Sequence, residues 1–223
     1  MKVTVFNGSP AAAHSATHVL ADAFLRGAAR AGAEVEEIFL AEKAVQQCQG
    51  CFACWFQTPG RCVLKDEMAD LLARYQASDI VCFGTPVYTW NMTALLKNFV
   101  DRLAPLKAPK MTEQQGHFDL EDAQPREQRF VVLANCGFPG ENNFDVLRAA
   151  MACSQPTLEI YRNCGKLLVS QQPVARERVA QWLPAVVRAG EEMARDGAAS
   201  AETQEMLAAP LMRVEEYVAF LGM

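Results

Sequence analysis

Residues 79–103, DIVCFGTPVYTWNMTALLKNFVDRL, decide the fold of this chain. Ile80 to Phe83 is a short apolar run of the kind that fills a strand covered on both faces. Gly84 and Pro86 end the run and turn the backbone out of the sheet. Met92, Leu95, Leu96, Phe99, Val100 and Leu103 then share one face at helical spacing, the apolar stripe of an amphipathic helix. Between strand and helix lie Thr85-Pro86-Val87-Tyr88-Thr89-Trp90-Asn91, with two aromatics at a strand's carboxyl end. Open parallel sheets bind ligands at that edge. A loop that walls a flat ring uses Tyr88 and Trp90 more readily than a packing loop does.

The same alternation extends outward. Residues 2–6 read as a first strand, followed by Asn7-Gly8-Ser9-Pro10 and a helix carrying Leu20, Ala23, Phe24, Gly27, Ala28 and Ala31, with Gly32 at its end. Residues 34–40 form a second strand, charged enough for a sheet edge. An irregular cysteine-bearing loop, 41–64, precedes a helix over 66–76. Residues 104–127 are polar, contain three prolines and lack periodicity; a connection this long reads as a lid or an intersubunit arm. A fourth strand is expected over 129–134, a helix over 143–153 and a fifth strand over 166–170. A long helix follows, with Val179, Trp182, Leu183, Val186, Val187 and Gly190 on one face. The tail carries the stripe Val214, Tyr217, Val218 and Leu221, which reads as a surface for self-association. Strands alternating with helices predict an α/β, doubly wound, five-stranded parallel sheet. The expected order is 2-1-3-4-5, in a domain of residues 1–196 with a helical extension over 197–223.

Composition excludes several classes. The chain has 223 residues, half of them apolar, and a net charge of −5 with both signs interspersed. That balance argues against nucleic acid or an anionic membrane as partner. No apolar run approaches the ~20 residues that span a bilayer. MKVTVFNGSP lacks the long apolar core of a signal peptide. A cytoplasmic location is expected, where thiols stay reduced, so the eight cysteines require a reason other than disulfides.

Two stretches carry chemistry. Gly8-Ser9-Pro10-Ala11-Ala12-Ala13-His14-Ser15-Ala16-Thr17 joins the first strand to its helix. The hydroxyls of Ser9, Ser15 and Thr17, with the unpaired amides of the helix's first turn, make an anion site. The pattern is neither G-x-G-x-x-G nor G-x-x-x-x-G-K, which weighs against a dinucleotide or ATP cradle; the plain alternative is a helix cap at Ser15. Cys48, Cys51, Cys54 and Cys62 form C-x2-C-x2-C-x7-C. The unbroken triple favours a [4Fe–4S] cluster over zinc, and free thiols, inert or redox-active, are the competing reading. Cys82, Cys136, Cys153 and Cys164 follow no ligand spacing.

NGSP followed by S-x-T, together with GTPVYTWNMTALLKNFVDR, resembles the flavodoxin-like NAD(P)H-dependent FMN reductases. The cysteine loop is similar to that of the iron–sulfur flavoproteins. The likeness runs from residue 1 to about residue 170. It implies that Ser9, Ser15 and Thr17 hold the FMN phosphate. Ala11 stands where members often have arginine, and Ala16 where they often have asparagine, so the backbone donors carry more of the contact. The resemblance further implies that Pro86, Val87, Tyr88, Trp90, Asn91 and Met92 cradle the isoalloxazine edge, with Thr93 and its helix beneath. Asn135, Cys136 and Gly137 would lie on the ring's other side, Gly137 permitting close approach. A second subunit often completes such sites, so a homodimer or homotetramer is expected.

The function this implies is an NAD(P)H-dependent FMN oxidoreductase passing hydride or electrons to a small acceptor such as a quinone or flavin. The cofactor carries that chemistry, so no side-chain acid or base is assigned; Tyr88 is the side chain expected to touch substrate. The alternative is a non-enzymatic electron carrier using FMN and a [4Fe–4S] cluster. Such a carrier is expected to be more acidic than this chain. A receiver-type module on the same fold would need an acidic cluster after the first strand, where Asn7-Gly8-Ser9 stands.

Overall fold

The computed structural model describes residues 1–114 and 116–223. Five parallel strands make one sheet: β1 (Lys2–Asn7), β2 (Glu34–Phe39), β3 (Ile80–Pro86), β6 (Arg129–Asn135) and β7 (Leu158–Arg162), in the order β2-β1-β3-β6-β7. A hairpin of β4 (Lys107–Gln114) and β5 (His117–Asp122) stands apart from it. With the hairpin set aside, this is the expected 2-1-3-4-5 order. Asn7 pairs in register with Gly84, Pro86 with Asn135, and Asn135 with Arg162. The carboxyl ends of four strands therefore finish along one edge.

Both faces of the sheet are covered. Ile80 and Cys82 of β3 enter one core with Leu20 and Phe24 of α1 (Ala16–Arg30) and Val186 of α6 (Pro173–Asp196). Val81 and Phe83 enter the other, with Met68 and Leu71 of α3 (Met68–Ala77), Leu96 and Phe99 of α4 (Ala94–Asp101) and Leu147 of α5 (Asp145–Ala152). The continuous apolar run of β3 thus serves two cores at once. Phe6 stacks on Phe99 at 4.5 Å, tying β1 to α4. On the opposite face α1 and α6 touch backbone to backbone: a Cβ at Gly27 would lie 1.8 Å from the Val187 carbonyl oxygen, and one at Gly190 would lie 2.0 Å from that of Phe24.

Three expectations change. The fifth strand is Leu158–Arg162, and the apolar stretch expected over 166–170 falls in a short 3₁₀ turn, Gly165–Val169. Leu158 and Ile160 are buried while Glu159 between them is exposed, as suits an edge strand. Cys164, at φ 52°, then carries the chain out of the ladder. The connection over 104–127 is an antiparallel hairpin closed by Lys107–Asp122 (2.9 Å) and Lys110–Glu121 (2.8 Å) ion pairs; Gln115 lies outside the described residues. Its register shifts between Lys107 and Met111, where Pro109 offers no ladder donor. Third, the tail stripe is partly used within the chain. In α8 (Val214–Phe220) Tyr217 is fully buried, whereas Val214 and Val218 stay exposed. Leu207 of α7 (Ala201–Ala208), Leu211 and Met212 join the same core as α6. Among the described residues no helix is long and apolar enough to cross a membrane.

Candidate functional site

Three loops meet at the carboxyl edge, and hydrogen bonds bind each to the next. Asn7, fully buried at the end of β1, accepts the Ser9 amide on Oδ1 (2.8 Å) and donates from Nδ2 to Glu37 of β2 (2.8 Å). His18 Nδ1 sits 2.8 Å from the other Glu37 oxygen. Burial raises the Glu37 carboxyl above its usual range, against the hydrogen bonds of Asn7 and His18. Ser15 caps α1, accepting the His18 amide at 3.0 Å and donating its hydroxyl to Ala12 O at 2.7 Å. Thr17 Oγ1 accepts from Asn135 Nδ2 at 2.7 Å. The Ser15 proton is therefore already committed, and Thr17 faces β6. Among the described residues the amides of Ala16 and Thr17 have no partner, and they sit at the positive end of the helix dipole. His14 is exposed.

The second loop is locked to the first. Gly8 donates its amide to Gly84 O (2.7 Å), and Thr93 donates its hydroxyl to Gly8 O (2.6 Å) while capping the Leu96 amide (3.3 Å). A Cβ at Gly8 would lie 2.6 Å from Leu96 Cβ, so the loop and α4 touch only because position 8 is glycine. Thr85 Oγ1 accepts the Thr93 amide at 3.1 Å. Tyr88 and Asn91 exchange both backbone hydrogen bonds, at 2.9 and 3.1 Å, around Thr89 (φ 48°) and Trp90 (φ 63°). Two positive φ values mark a mirror-image hairpin turn, and on a β-branched Thr89 that conformation is strained. The Val87 and Met92 amides are bonded to Asn135 O (2.7 Å) and Asn91 Oδ1 (2.7 Å), leaving those of Thr89 and Trp90 free among the described residues. Tyr88 and Trp90 are 54% and 59% exposed.

In the third loop Cys136 donates its amide to Arg162 O (2.9 Å), so of the two amides past the strand only that of Gly137 is unpaired among the described residues. The Cys136 thiol is raised by burial, with Sγ taking the Phe138 amide at 3.3 Å; it is not poised as a thiolate nucleophile. Phe138 is 70% exposed. Tyr217 reaches from the tail to donate its hydroxyl to Gly137 O at 2.7 Å. Arg162, buried against the face of Trp182, binds the carbonyls of Leu207 and Ala209 and so anchors that tail. Burial lowers the Arg162 guanidinium to about 10.

The edge thus gathers Ser9, Ser15, Thr17, residues 86–92 and Asn135 to Gly137, the residues that the family resemblance singles out. The side chains of Ser15 and Thr17 turn inward, and backbone amides face out in their place. Asn7, Glu37, Thr85, Arg162 and Tyr217 hold these loops. Of these, Asn7 and Thr85 carried a signal, each being a polar residue at the end of an apolar strand. Unpaired amides beside exposed aromatics suit a planar aromatic ligand bearing a phosphate.

A second constellation sits at the far end of α4. Cys48, Cys51, Cys54 and Cys62 line one cavity together with Phe52, and Arg102 and Pro105 close it. Burial raises the Cys54 thiol, and the nearness of Cys62, Cys51 and Cys48 adds to the rise. Arg102 is 1% exposed; it donates to Asp66 through two nitrogens (2.9 and 3.0 Å) and to Gln46 O (2.6 Å). Burial opposes the charge on Asp66, but the Arg102 hydrogen bond and the amides of Gln46 and Met68 outweigh it and hold that carboxyl below its usual range. Trp55, in the short helix α2 (Ala53–Phe56), donates Nε1 to Ala104 O at 2.8 Å. Among the described residues no three Cys, His, Asp or Glu side chains are close enough to share a single metal ion.

Fold and topology together define a flavodoxin-like α/β protein whose candidate site lies at the sheet's carboxyl edge. The chain belongs to the NADPH-dependent FMN reductase family, whose profile matches residues 1–118. It is 37% identical over 105 residues to an iron–sulfur flavoprotein of Archaeoglobus fulgidus, covering 47% of this chain and 46% of that protein. It is 35% identical over 107 residues to one from Methanocaldococcus jannaschii, covering 48% and 54%. These matches span about half the length of each relative. The fold is shared with an NAD(P)H:quinone oxidoreductase from Methanothermobacter marburgensis (TM-score 0.61, 18% identity, 86% of this chain and 96% of that one). It is also shared with an FMN-dependent NADH-azoreductase from Bacillus anthracis (TM-score 0.59, 15% identity, 88% and 99%).

Proposed function

We propose that this protein is an NAD(P)H-dependent FMN oxidoreductase that passes electrons to a small acceptor, a quinone, a flavin or a similar molecule. The observation that carries this reading is the convergence of three sets of unpaired amides on one edge: Ala16 and Thr17, Thr89 and Trp90, and Gly137. The first pair suits a phosphate, and the others suit the oxygens and nitrogens at a ring's rim. The glycine at 137 fits as well. A Cβ there would meet only Lys166 Cε, at 3.9 Å, so nothing packed within the chain demands glycine, whereas a ring approaching from outside would. FMN, when bound, supplies the hydride and electron chemistry. The chain's part is to place it: Asn7 and Thr93 hold the phosphate loop, Tyr88 and Trp90 cover apolar ring surface, and the Gly137 amide offers a donor to developing negative charge. No side chain at this edge is assigned as an acid or base.

Four cysteines around one cavity support a second reading of the same protein, in which they hold a [4Fe–4S] cluster and the chain relays single electrons. Thr93 caps the start of α4 and Arg102 its end, so the two residues lie roughly 14 Å apart along that helix at ~1.5 Å per residue. Exposed Tyr88, Trp90 and Phe138 favour a homodimer whose second subunit covers the ring, which light scattering would report as twice the chain mass.

The test is purification without air, followed by a visible spectrum and FMN titration. Flavin bands and turnover of NAD(P)H with quinone, azo dye or free flavin are expected. Flavin bound without turnover of any acceptor would leave the carrier, and no flavin uptake would end both readings.

A further inference from the structure

A buried donor without an acceptor is the most unusual group outside the ring site. Arg102 presents five N–H bonds. Asp66 and Gln46 O take three of the four at the Nη atoms, while Nε, equally buried, has no partner among the described residues. An unmade buried hydrogen bond is costly, and native structures rarely keep one without a reason. The cavity that Arg102 lines is the one lined by all four cysteines, and Asp66 is not part of that lining. The ion pair is therefore oriented, its cation toward the sulfurs and its carboxylate behind. Cys62 lies beside the guanidinium. Asp101, the other charged residue of the lining, is paired with Lys97. Arg102 also follows the last turn of α4, where the helix's own negative end steadies a cation.

We infer that Arg102 is a positioning and charge-compensating residue for a cluster on Cys48, Cys51, Cys54 and Cys62, donating Nε–H to a sulfur of the cluster or of Cys62 and favouring its reduced state. This rests on the cluster reading above. Four thiolates brought together repel one another, and reduction adds one more negative charge with no bond made or broken. A fixed cation and an N–H donor at the sulfurs stabilise that added charge and raise the potential. The same side chain sets the shape of the loop. It ties Gln46, just before Cys48, to Asp66, just after Cys62, and Gln46 returns its amide to Asp66 at 2.8 Å.

The test uses the full chain, reconstituted without air with ferrous iron and sulfide and titrated with mediator dyes, each reduced dye giving one electron to one cluster. Absorbance and electron paramagnetic resonance report the reduced fraction. In Arg102→Gln the ratio of reduced to oxidised cluster at a fixed ambient potential is expected to fall at least tenfold, a shift of ~59 mV for one electron. Arg102→Lys keeps the charge and loses the Nε donor, so its ratio is expected to fall about threefold; it carries the test if circular dichroism shows that the Gln variant does not fold. Cluster uptake with unchanged potential in the folded variants overturns the role of Arg102 and leaves the cluster standing. No uptake by the wild-type protein overturns both.

Discussion

Thr93→Val is the most searching substitution this architecture offers. Valine keeps the branched shape and backbone preference of threonine and removes only the hydroxyl, at a position 3% exposed. That hydroxyl makes two bonds of different kinds. It donates to Gly8 O at 2.6 Å, and it accepts the Leu96 amide at 3.3 Å as the cap of α4. Losing a helix cap costs about 1 kcal/mol, and leaving a buried carbonyl unpaired costs about 1–3 kcal/mol. The Gly8 amide bond to Gly84 remains, so part of the loop's anchorage survives. The expected loss is about 2–4 kcal/mol, read as a lower urea midpoint at unchanged slope. Because the lost bond joins the first loop to the second, FMN affinity should fall as well, by about tenfold for ~1.4 kcal/mol of lost pre-organisation. Thr93→Ser restores the hydroxyl and should recover most of both. If Thr93→Val unfolds within 0.5 kcal/mol of wild type, a margin of about half the expected cap loss, the coupling of the two loops through this residue is refuted. It is equally refuted if serine fares as badly as valine.

Other outcomes test separate parts of the structure. Gly27→Ala and Gly190→Ala each place a methyl about 2 Å from a carbonyl oxygen of the facing helix, and each should lower stability by about 1–3 kcal/mol in urea unfolding; an unchanged midpoint would contradict the close α1–α6 contact. Tyr217→Phe removes the donor to Gly137 O (2.7 Å), with an expected loss of about 1 kcal/mol and weaker FMN binding by fluorescence titration. Equal affinity would mean that the tail does not hold the third loop. Glu192 is buried in α6, which pushes its carboxyl up, yet the Ser200 amide and the Arg188 guanidinium prevail and hold it at about 2. Its folded value lies below the ordinary ~4.3, so its contribution is full above ~4.3 and drains as the pH falls toward about 2. Stability measured across that window should fall less steeply in Glu192→Gln, and an identical acid limb would refute the assignment.

Strand and helix periodicity carried most of the architecture because it reports burial directly. The run Ile80 to Phe83 fits a strand between two cores, and of the stripe read from Met92 to Leu103 the central part, Leu95 to Val100, lies in α4 on one of them, while Met92 and Leu103 fall just outside the helix. The fifth strand was less readable. LEIYR interrupts its apolar residues with an exposed glutamate, as an edge strand does, while the more apolar stretch near Leu167 and Leu168 packs as a 3₁₀ turn. The hairpin over 107–122 was hidden for a related reason: it lies outside both cores, so no alternation of burial marks it. At the site, Ser9, Ser15 and Thr17 were recognisable by position, but sequence does not say where a hydroxyl points. Ser15 spends its proton on Ala12 O, and Thr17 turns to Asn135.

By itself, then, the order of residues determined which loops share the sheet's carboxyl edge, since parallel strands joined by right-handed crossovers admit little else. It also set the spacing of four cysteines. Tertiary structure alone decided which amides are left unpaired there, that Tyr217 of the tail braces Gly137, and that Arg102 and Asp66 join behind the cysteine loop. The reason is one of range: burial patterns are written locally along a chain, whereas a hydrogen bond between residues 80 apart exists only once packing has brought them together.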